Sequence, residues 1–188
     1  VAVPIQTLGE QALWLYDRSR GILARLPGDG EANAPRWSPD GQRVAFSWLT
    51  RGRNVIAWQR TDGTSGPEIL ADSVGSPSSW SPDGRQMAVS KEDDIWIASV
   101  DDGRASLSPL TQTPGARERW PEFSPDGRWL AYGTTASGQP EVVVQPYPGP
   151  GSPQQVSLSG GTSPAWSPAG RELFFVTRPG PDGKRDVM

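Results

Sequence analysis

The chain has 188 residues, enough for one substantial hydrophobic core or two small ones. Lys and Arg number 18 against 21 Asp and Glu, a formal net charge of −3 with no basic stripe, which argues against a nucleic-acid partner. There is no His and no Cys, so His-based triads, thiolate chemistry, disulfides and His-rich metal sites are excluded within these residues, while a carboxylate-based hydrolase stays open. No run of about 18 apolar residues is present, so no membrane span is expected. The first residues do not read as a signal peptide, and Val1 reads as a mature or trimmed end. Gly (22) and Pro (20) are enriched, which suits either disorder or a turn-rich all-β fold. The nine tryptophans and the regular apolar runs decide for the second.

Taken in chain order, residues 1–10 carry no clear pattern. Ala12 to Tyr16 and Ile22 to Leu26 read as two short strands, the second stopped by Pro27-Gly28-Asp29-Gly30. A longer cycle then begins. Ala34 to Ser38, Arg43 to Trp48, Asn54 to Gln59 and Glu68 to Leu70 are four expected strands. Pro77 to Ser81, Gln86 to Ser90, Asp94 to Ser99 and Ala105 to Leu110 restate them. Trp120 to Ser124, Trp129 to Tyr132 and Glu141 to Gln145 do so again, with a weak outer strand near Gln155 to Leu158. Pro164 to Ser167 and Glu172 to Val176 open a last copy, and Lys184 to Met188 looks like its third strand cut short. Gly or Pro interrupts nearly every window in which a helical period could develop.

The cycle is marked by one turn. Trp37-Ser38-Pro39-Asp40-Gly41, Trp80-Ser81-Pro82-Asp83-Gly84, Phe123-Ser124-Pro125-Asp126-Gly127 and Trp166-Ser167-Pro168-Ala169-Gly170 follow one another at a constant 43 residues. Repeats of this length with several short strands each are the signature of propeller blades. The second and third strands of each unit are almost continuously apolar, as expected when sheets are covered on both faces. A two-layer sandwich would not need that constant spacing. The expected architecture is therefore an all-β propeller of four-stranded antiparallel blades. It would form one domain or propeller segment over residues 1–188, with a partial blade over 1–30 and repeats starting near 34, 77, 120 and 163.

Within the turn, Pro presets φ, Ser bonds back to the backbone, and Gly supplies the positive φ that rejoins the next strand. The preceding aromatic can wedge between neighbouring sheets, at about 2–3 kcal/mol if fully buried. Asp40, Asp83 and Asp126 could be read as cation ligands, but the fourth copy has Ala169 in that place and keeps Pro168 and Gly170. The aspartates therefore read as scaffold. A sialidase box would need one residue between Asp and Gly, and here they are adjacent.

Several stretches carry a family resemblance. They are Pro35 to Gly41, Phe123 to Tyr132, Val143-Val144-Gln145-Pro146-Tyr147-Pro148-Gly149-Pro150-Gly151, and Gly160 to Pro168 followed by Gly170 to Phe174. Over about residues 11–178 the chain resembles the WD40-like repeats of bacterial TolB-type propellers, and more closely the C-terminal propeller of membrane-bound bacterial serine/threonine protein kinases. The resemblance implies a non-catalytic binding or sensor module for a protein, peptide or cell-envelope ligand, in an extracytoplasmic compartment. It implies no cofactor and no metal. The alternative is an accessory, gating propeller of a serine peptidase or other hydrolase whose catalytic domain lies elsewhere. A carboxylate glycosidase or metal-dependent lactonase would need acids clustered at the axis, where only Glu122 is a candidate.

With strands labelled a to d outward, the chain is expected to hold c and d first, then three whole units, then a and b. Pairing the last b strand with the first c strand would close a four-bladed ring. The favoured reading is a segment of a larger propeller, or one completed by self-association. Function is expected on the face of the b–c and d–a loops, where charge and length vary. The residues singled out there are Arg51, Arg53, Lys91, Arg117 and Arg119 and the loop from Thr177 to Lys184, with Arg36 and Glu122 near the channel mouth. Trp48, Trp58 and Trp120 are assigned to packing between blades.

Overall fold

The apolar runs fold into antiparallel sheets that follow one another in chain order. The computed structural model describes residues 2–7, 10–72, 75–177 and 186–188. Every regular element among them is a strand, and none is a helix that could cross a membrane. β1 (Ala2–Thr7), β2 (Glu10–Asp17) and β3 (Ile22–Arg25) form a three-stranded sheet. Three four-stranded sheets come next. The first is β4 (Glu31–Trp37), β5 (Arg43–Thr50), β6 (Arg53–Arg60) and β7 (Glu68–Ala71). The second is β8 (Ser76–Trp80), β9 (Gln86–Lys91), β10 (Asp94–Asp101) and β11 (Arg104–Pro109). The third is β12 (Glu118–Phe123), β13 (Trp129–Thr134), β14 (Glu141–Pro146) and β15 (Gln154–Gln155). β16 (Gly161–Trp166) and β17 (Leu173–Thr177) open a fifth. Val187 bridges Val176 in it, and Phe175 and Met188 exchange two backbone hydrogen bonds of 3.0 Å.

The core lies between sheets. Leu13 and Leu26 of the first sheet pack with Val44, Phe46 and Ala57 of the second. From the opposite face of that second sheet, Ala45, Ile56 and Trp58 meet Trp80, Met87 and Val89 of the third. Ala88, Ile95 and Ile97 continue to Phe123, Leu130 and Tyr132 of the fourth. Both faces of each middle sheet are thus buried, which is why the b and c strands read as unbroken apolar runs. The first strands β4, β8, β12 and β16 contact one another in succession and make the inner wall. This is the radial packing of a propeller.

The recurring turn has one hydrogen-bond scheme. In the third copy Gly127 N–H donates to the Ser124 carbonyl at 2.9 Å, and Ser124 Oγ donates to Asp126 Oδ1 at 2.6 Å. The same Oγ accepts from Trp129 N–H at 3.0 Å, and Asp126 Oδ1 accepts from Arg128 N–H at 3.1 Å. These donors hold the Asp126 carboxyl well below its ordinary value, at about 2, with the Ser124 hydroxyl the main cause. Asp40 and Asp83 are lowered in the same way by Ser38 and Ser81. The fourth copy keeps the backbone bonds and the Glu172 N–H to Ser167 Oγ contact at 3.2 Å without an aspartate. In that copy the turn closes with no carboxylate at all.

The turns also lock to one another. A Cβ placed on Gly84 would lie 3.7 Å from Pro39, one on Gly127 3.2 Å from Pro82, and one on Gly170 3.4 Å from Pro125. Each glycine therefore sits on the proline of the preceding turn, at a φ of +70°, +71° and +68° that favours Gly. Pro and Gly serve the turn and the inter-sheet contact together.

Several expectations need correction. Residues 2–7, without pattern as a sequence, form β1, which pairs with β2 from Ala2↔Leu15 to Thr7↔Glu10. The first sheet therefore holds b, c and d, and β2 is bonded on both edges. Its c position is not free to receive β17, so the pair that would close a four-bladed ring, the reading not favoured, is not made. The inner aromatics are also unequal: Trp80 and Phe123 are buried, but Trp37 is 38% exposed because the sheet before it contributes no a strand. The outer strand of the third unit is shorter and earlier than expected, covering only Gln154 and Gln155. Lys184 and Arg185, expected to begin the last strand, lie outside the described residues.

Candidate functional site

Every a strand carries a bulge just before its last residues. The register shifts between Asn33 and Arg36, Pro77 and Ser79, Arg119 and Glu122, and Thr162 and Ala165. Ala34, Trp120 and Ser163 share the same offset in their repeats and have φ of +50°, +56° and +53°. Such bulges re-aim the side chains that follow them. Immediately after them come Arg36, Ser79, Glu122 and Ala165, each opposite a b-strand residue: Ala45, Ala88, Ala131 and Phe174.

The first three of these positions line one depression of about 490 Å³, together with Trp80, Phe123 and the turn prolines Pro39, Pro82 and Pro125. Its walls are chemically unequal. The Arg36 guanidinium donates through Nε to the Ser78 carbonyl and through Nη1 to the Pro35 carbonyl at 3.0 Å. Ser79 Oγ accepts from Phe123 N–H at 2.9 Å. Trp166 Nε1 donates to the Glu122 carbonyl at 3.2 Å and so packs the fifth sheet beside it. No hydrogen-bond donor among the described residues reaches the Glu122 carboxylate. Burial pushes that carboxyl up from 4.5 to about 7, and the charge of Arg36 offsets only part of the shift. The indole N–H of the buried Trp80 also has no hydrogen-bond partner among the described residues.

This depression opens beside the Ser-Pro-Asp-Gly turns. Arg36 and Glu122 are therefore placed at the end of the a strands opposite to the loop face on which they were expected. Each lies two residues before the turn serine, and the a strand runs toward the turn.

The other five candidates lie at the opposite end and form separate groups rather than one site. Arg53 pairs with Asp72 and, with Arg51, borders a groove of about 590 Å³ that also includes Trp48, Val55, Pro67 and Ile69. Lys91 pairs with Glu92 at 3.2 Å and lies 4.3 Å from the centre of the Trp96 ring. Arg119 pairs with Asp93, and Arg117 approaches the same carboxylate at 3.8 Å. Exposed pairs of this kind contribute little to stability. Residues 178–185 of the expected long loop lie outside the described residues.

The tryptophan assignments divide. Trp58 is 8% exposed with Arg43 stacked 3.8 Å above its ring, and Trp48 is anchored to the Asp29 carbonyl at 2.6 Å. Trp120 is 46% exposed, which corrects its assignment to the interior. It occupies the bulge position, and its ring lies over Gly133, where a Cβ would approach it to 3.1 Å. Neither the bulge nor its φ has a residue signature at Trp120 itself. The Gln-Pro-Tyr-Pro-Gly stretch has a structural task. Tyr147 packs edge-on to Phe123 at 4.9 Å and donates to Gln86 Oε1 at 2.8 Å, joining the third four-stranded sheet to the second.

Radial four-stranded sheets around an inner wall of a strands define a β-propeller. The TolB beta propeller domain matches residues 29–187, and the chain belongs to that family. It is 35% identical over 115 residues to the Tol-Pal system protein TolB of Bordetella pertussis, covering 58% of this chain and 26% of that protein. It is 40% identical over 68 residues to Tricorn protease homolog 1 of Streptomyces coelicolor, covering 36% of this chain and 6% of that one. Among solved structures, TolB from Acinetobacter baumannii superposes with a TM-score of 0.76 at 21% identity, over 94% of this chain and 45% of its own. The chain thus spans less than half the length of each of these three proteins.

Proposed function

We propose that the chain is a non-catalytic binding propeller whose axial depression, at the turn end of the a strands, receives a segment of a protein or peptide ligand. The observation that supports this reading is Glu122, a partly buried carboxyl that no hydrogen-bond donor among the described residues reaches, in a depression of about 490 Å³. Partial burial of such a carboxyl disfavours its charged form, and perturbed carboxyls in depressions recur at binding sites. The likeness to TolB supports an extracytoplasmic setting, and no nucleic-acid ligand is assigned to a chain of net charge −3. Tiled peptides from cell-envelope proteins, titrated against the chain by fluorescence anisotropy, test the reading. Binding that weakens in Glu122→Gln and Arg36→Ala supports it. Binding indifferent to both substitutions overturns the site. Turnover in a broad hydrolase screen that disappears in Glu122→Gln would instead make the depression catalytic.

A second reading is favoured by the tricorn protease homologue: the chain is an accessory propeller that controls access to a hydrolase domain. A Gly-x-Ser-x-Gly hydrolase encoded in the same reading frame would select it.

Residues 1–188 are taken as one propeller segment, completed by further blades of the same polypeptide or of a second copy. β1 has no partner on its outer edge among the described residues. Gly41 meets no atom within 4 Å where its later counterparts rest on a proline, and Pro168 offers the matching surface at the other end. Light scattering on the purified chain checks this: a compact monomer at all concentrations rules out completion by self-association.

A further inference from the structure

We propose that the axial depression selects a cationic group: Glu122 receives the ammonium or guanidinium of a basic residue in the bound peptide, while Arg36 receives a carbonyl or carboxylate of the same segment. This rests on the depression being the ligand site. The argument is one of unspent hydrogen-bonding capacity. An ionised carboxylate only accepts, and no donor of the described residues reaches that of Glu122. Arg36 uses Nε and Nη1 on the Ser78 and Pro35 carbonyls, which fix its plane and leave further N–H groups of the fork available. Between them stands Ser79, whose Oγ already accepts from Phe123 N–H and keeps its own proton to donate. The wall therefore runs from donor fork through hydroxyl to acceptor around a single depression. A segment lying across it in one direction satisfies all three, and in the other direction sets its cation against Arg36.

The charges facing Glu122 are few. β4 contributes Arg36, the one charged side chain that acts on it. β8 contributes Ser78 and Ser79, β13 sets Ala131 opposite it, and β16 contributes Trp166. On the far side of β12, β9 and β10 pack Ala88, Ile95 and Ile97 around Phe123. Among the described residues Arg36 alone brings positive charge to the carboxylate, and a ligand cation would add a second. Its arrival favours the ionised form, so below neutral pH binding must release a proton and weakens accordingly.

Two pools of acetylated random heptapeptides, identical except for Lys or norleucine at the central position, test the proposal against the immobilised full chain. At pH 8 the Lys pool should be retained about tenfold better, as for a desolvated charge-assisted bond. At pH 6 the advantage should shrink severalfold, and in Glu122→Gln it should vanish at both pH values. Equal retention of the two pools by the wild type overturns cation selection and leaves the axial site standing. A Lys preference that survives Glu122→Gln places the cation elsewhere and also overturns it. Retention of neither pool removes the axial site and, with it, this proposal.

Discussion

The a strands have two ends, and they are built on different principles. At the turn end the same serine and backbone bonds recur in every copy, and each of the last three turns rests on the one before it. At the other end the loops carry different residues in each unit: Arg51 and Arg53, then Lys91 with Glu92 and Asp93, and then Thr135 to Gln139. Variable charged loops look like the functional face, yet their cations are largely engaged with Asp72, Glu92 and Asp93. At the loop end the buried Glu118 keeps one oxygen, Oε2, without a partner among the described residues, while at the regular end no hydrogen-bond donor among them reaches the Glu122 carboxylate. Periodicity there fixes the backbone, and one position per repeat is free to differ: Arg36, Ser79, Glu122 and Ala165. Regular scaffold and chemical variation coincide at that position.

The comparison can be broken most directly at Glu122. Its carboxyl titrates near 7 in the fold against 4.5 ordinarily. As pH rises through 4.5 the unfolded chain ionises first, so wild-type stability should fall between about pH 4.5 and 7 and then level off. Glu122→Gln should remove that slope and raise stability at pH 8 by on the order of 2–3 kcal/mol, read by urea unfolding at pH 5 and pH 8. A wild-type stability that does not fall across this interval would mean that the carboxyl is not desolvated.

A smaller effect separates the two ends through matched glycines. Gly127 at the turn end and Gly52 at the loop end have φ of +71° and +73°, but only Gly127 has a neighbour, Pro82 at 3.2 Å from an added Cβ. Gly52→Ala should cost about 1 kcal/mol from the backbone alone, and Gly127→Ala roughly twice that. Equal losses would show that the contact between turns is soft.

The smallest effect sharpens the role of the turn aspartate. Asp126 is held at about 2, so its contribution is present above its ordinary value of 3.8 and is lost as pH falls toward 2. Asp126→Asn should lower the melting temperature slightly at pH 7, with the gap closing near pH 2. Ala169→Asp should raise it at pH 7 by completing the fourth turn. No rise would mean that the serine and backbone bonds already saturate that turn.

Much of the fold was legible because its cause is local or periodic. The b and c strands announce themselves through apolar residues needed on both faces, as with Val44 and Ala45 or Ala88 and Val89. β1 was not legible: Pro4 interrupts the short apolar stretch Ala2 to Ile5, and the strand is recognised by its pairing to β2. Arg36 and Glu122 were found by their offset from the turn, but the offset carries no statement of which face they reach. Strand direction supplies that, and it sends them to the turn end. The exposure of Trp120 depends on a bulge and a positive φ, which no property of tryptophan foretells.

The seating of each turn glycine on the preceding proline is the same at each interface described, and it asks nothing of the next interface along. Gaining or losing a whole 43-residue unit would therefore leave every remaining seam chemically unchanged. A shift of even one residue would set proline against the wrong partner. Such a chain can change its number of blades by duplication more readily than it can change the length of one.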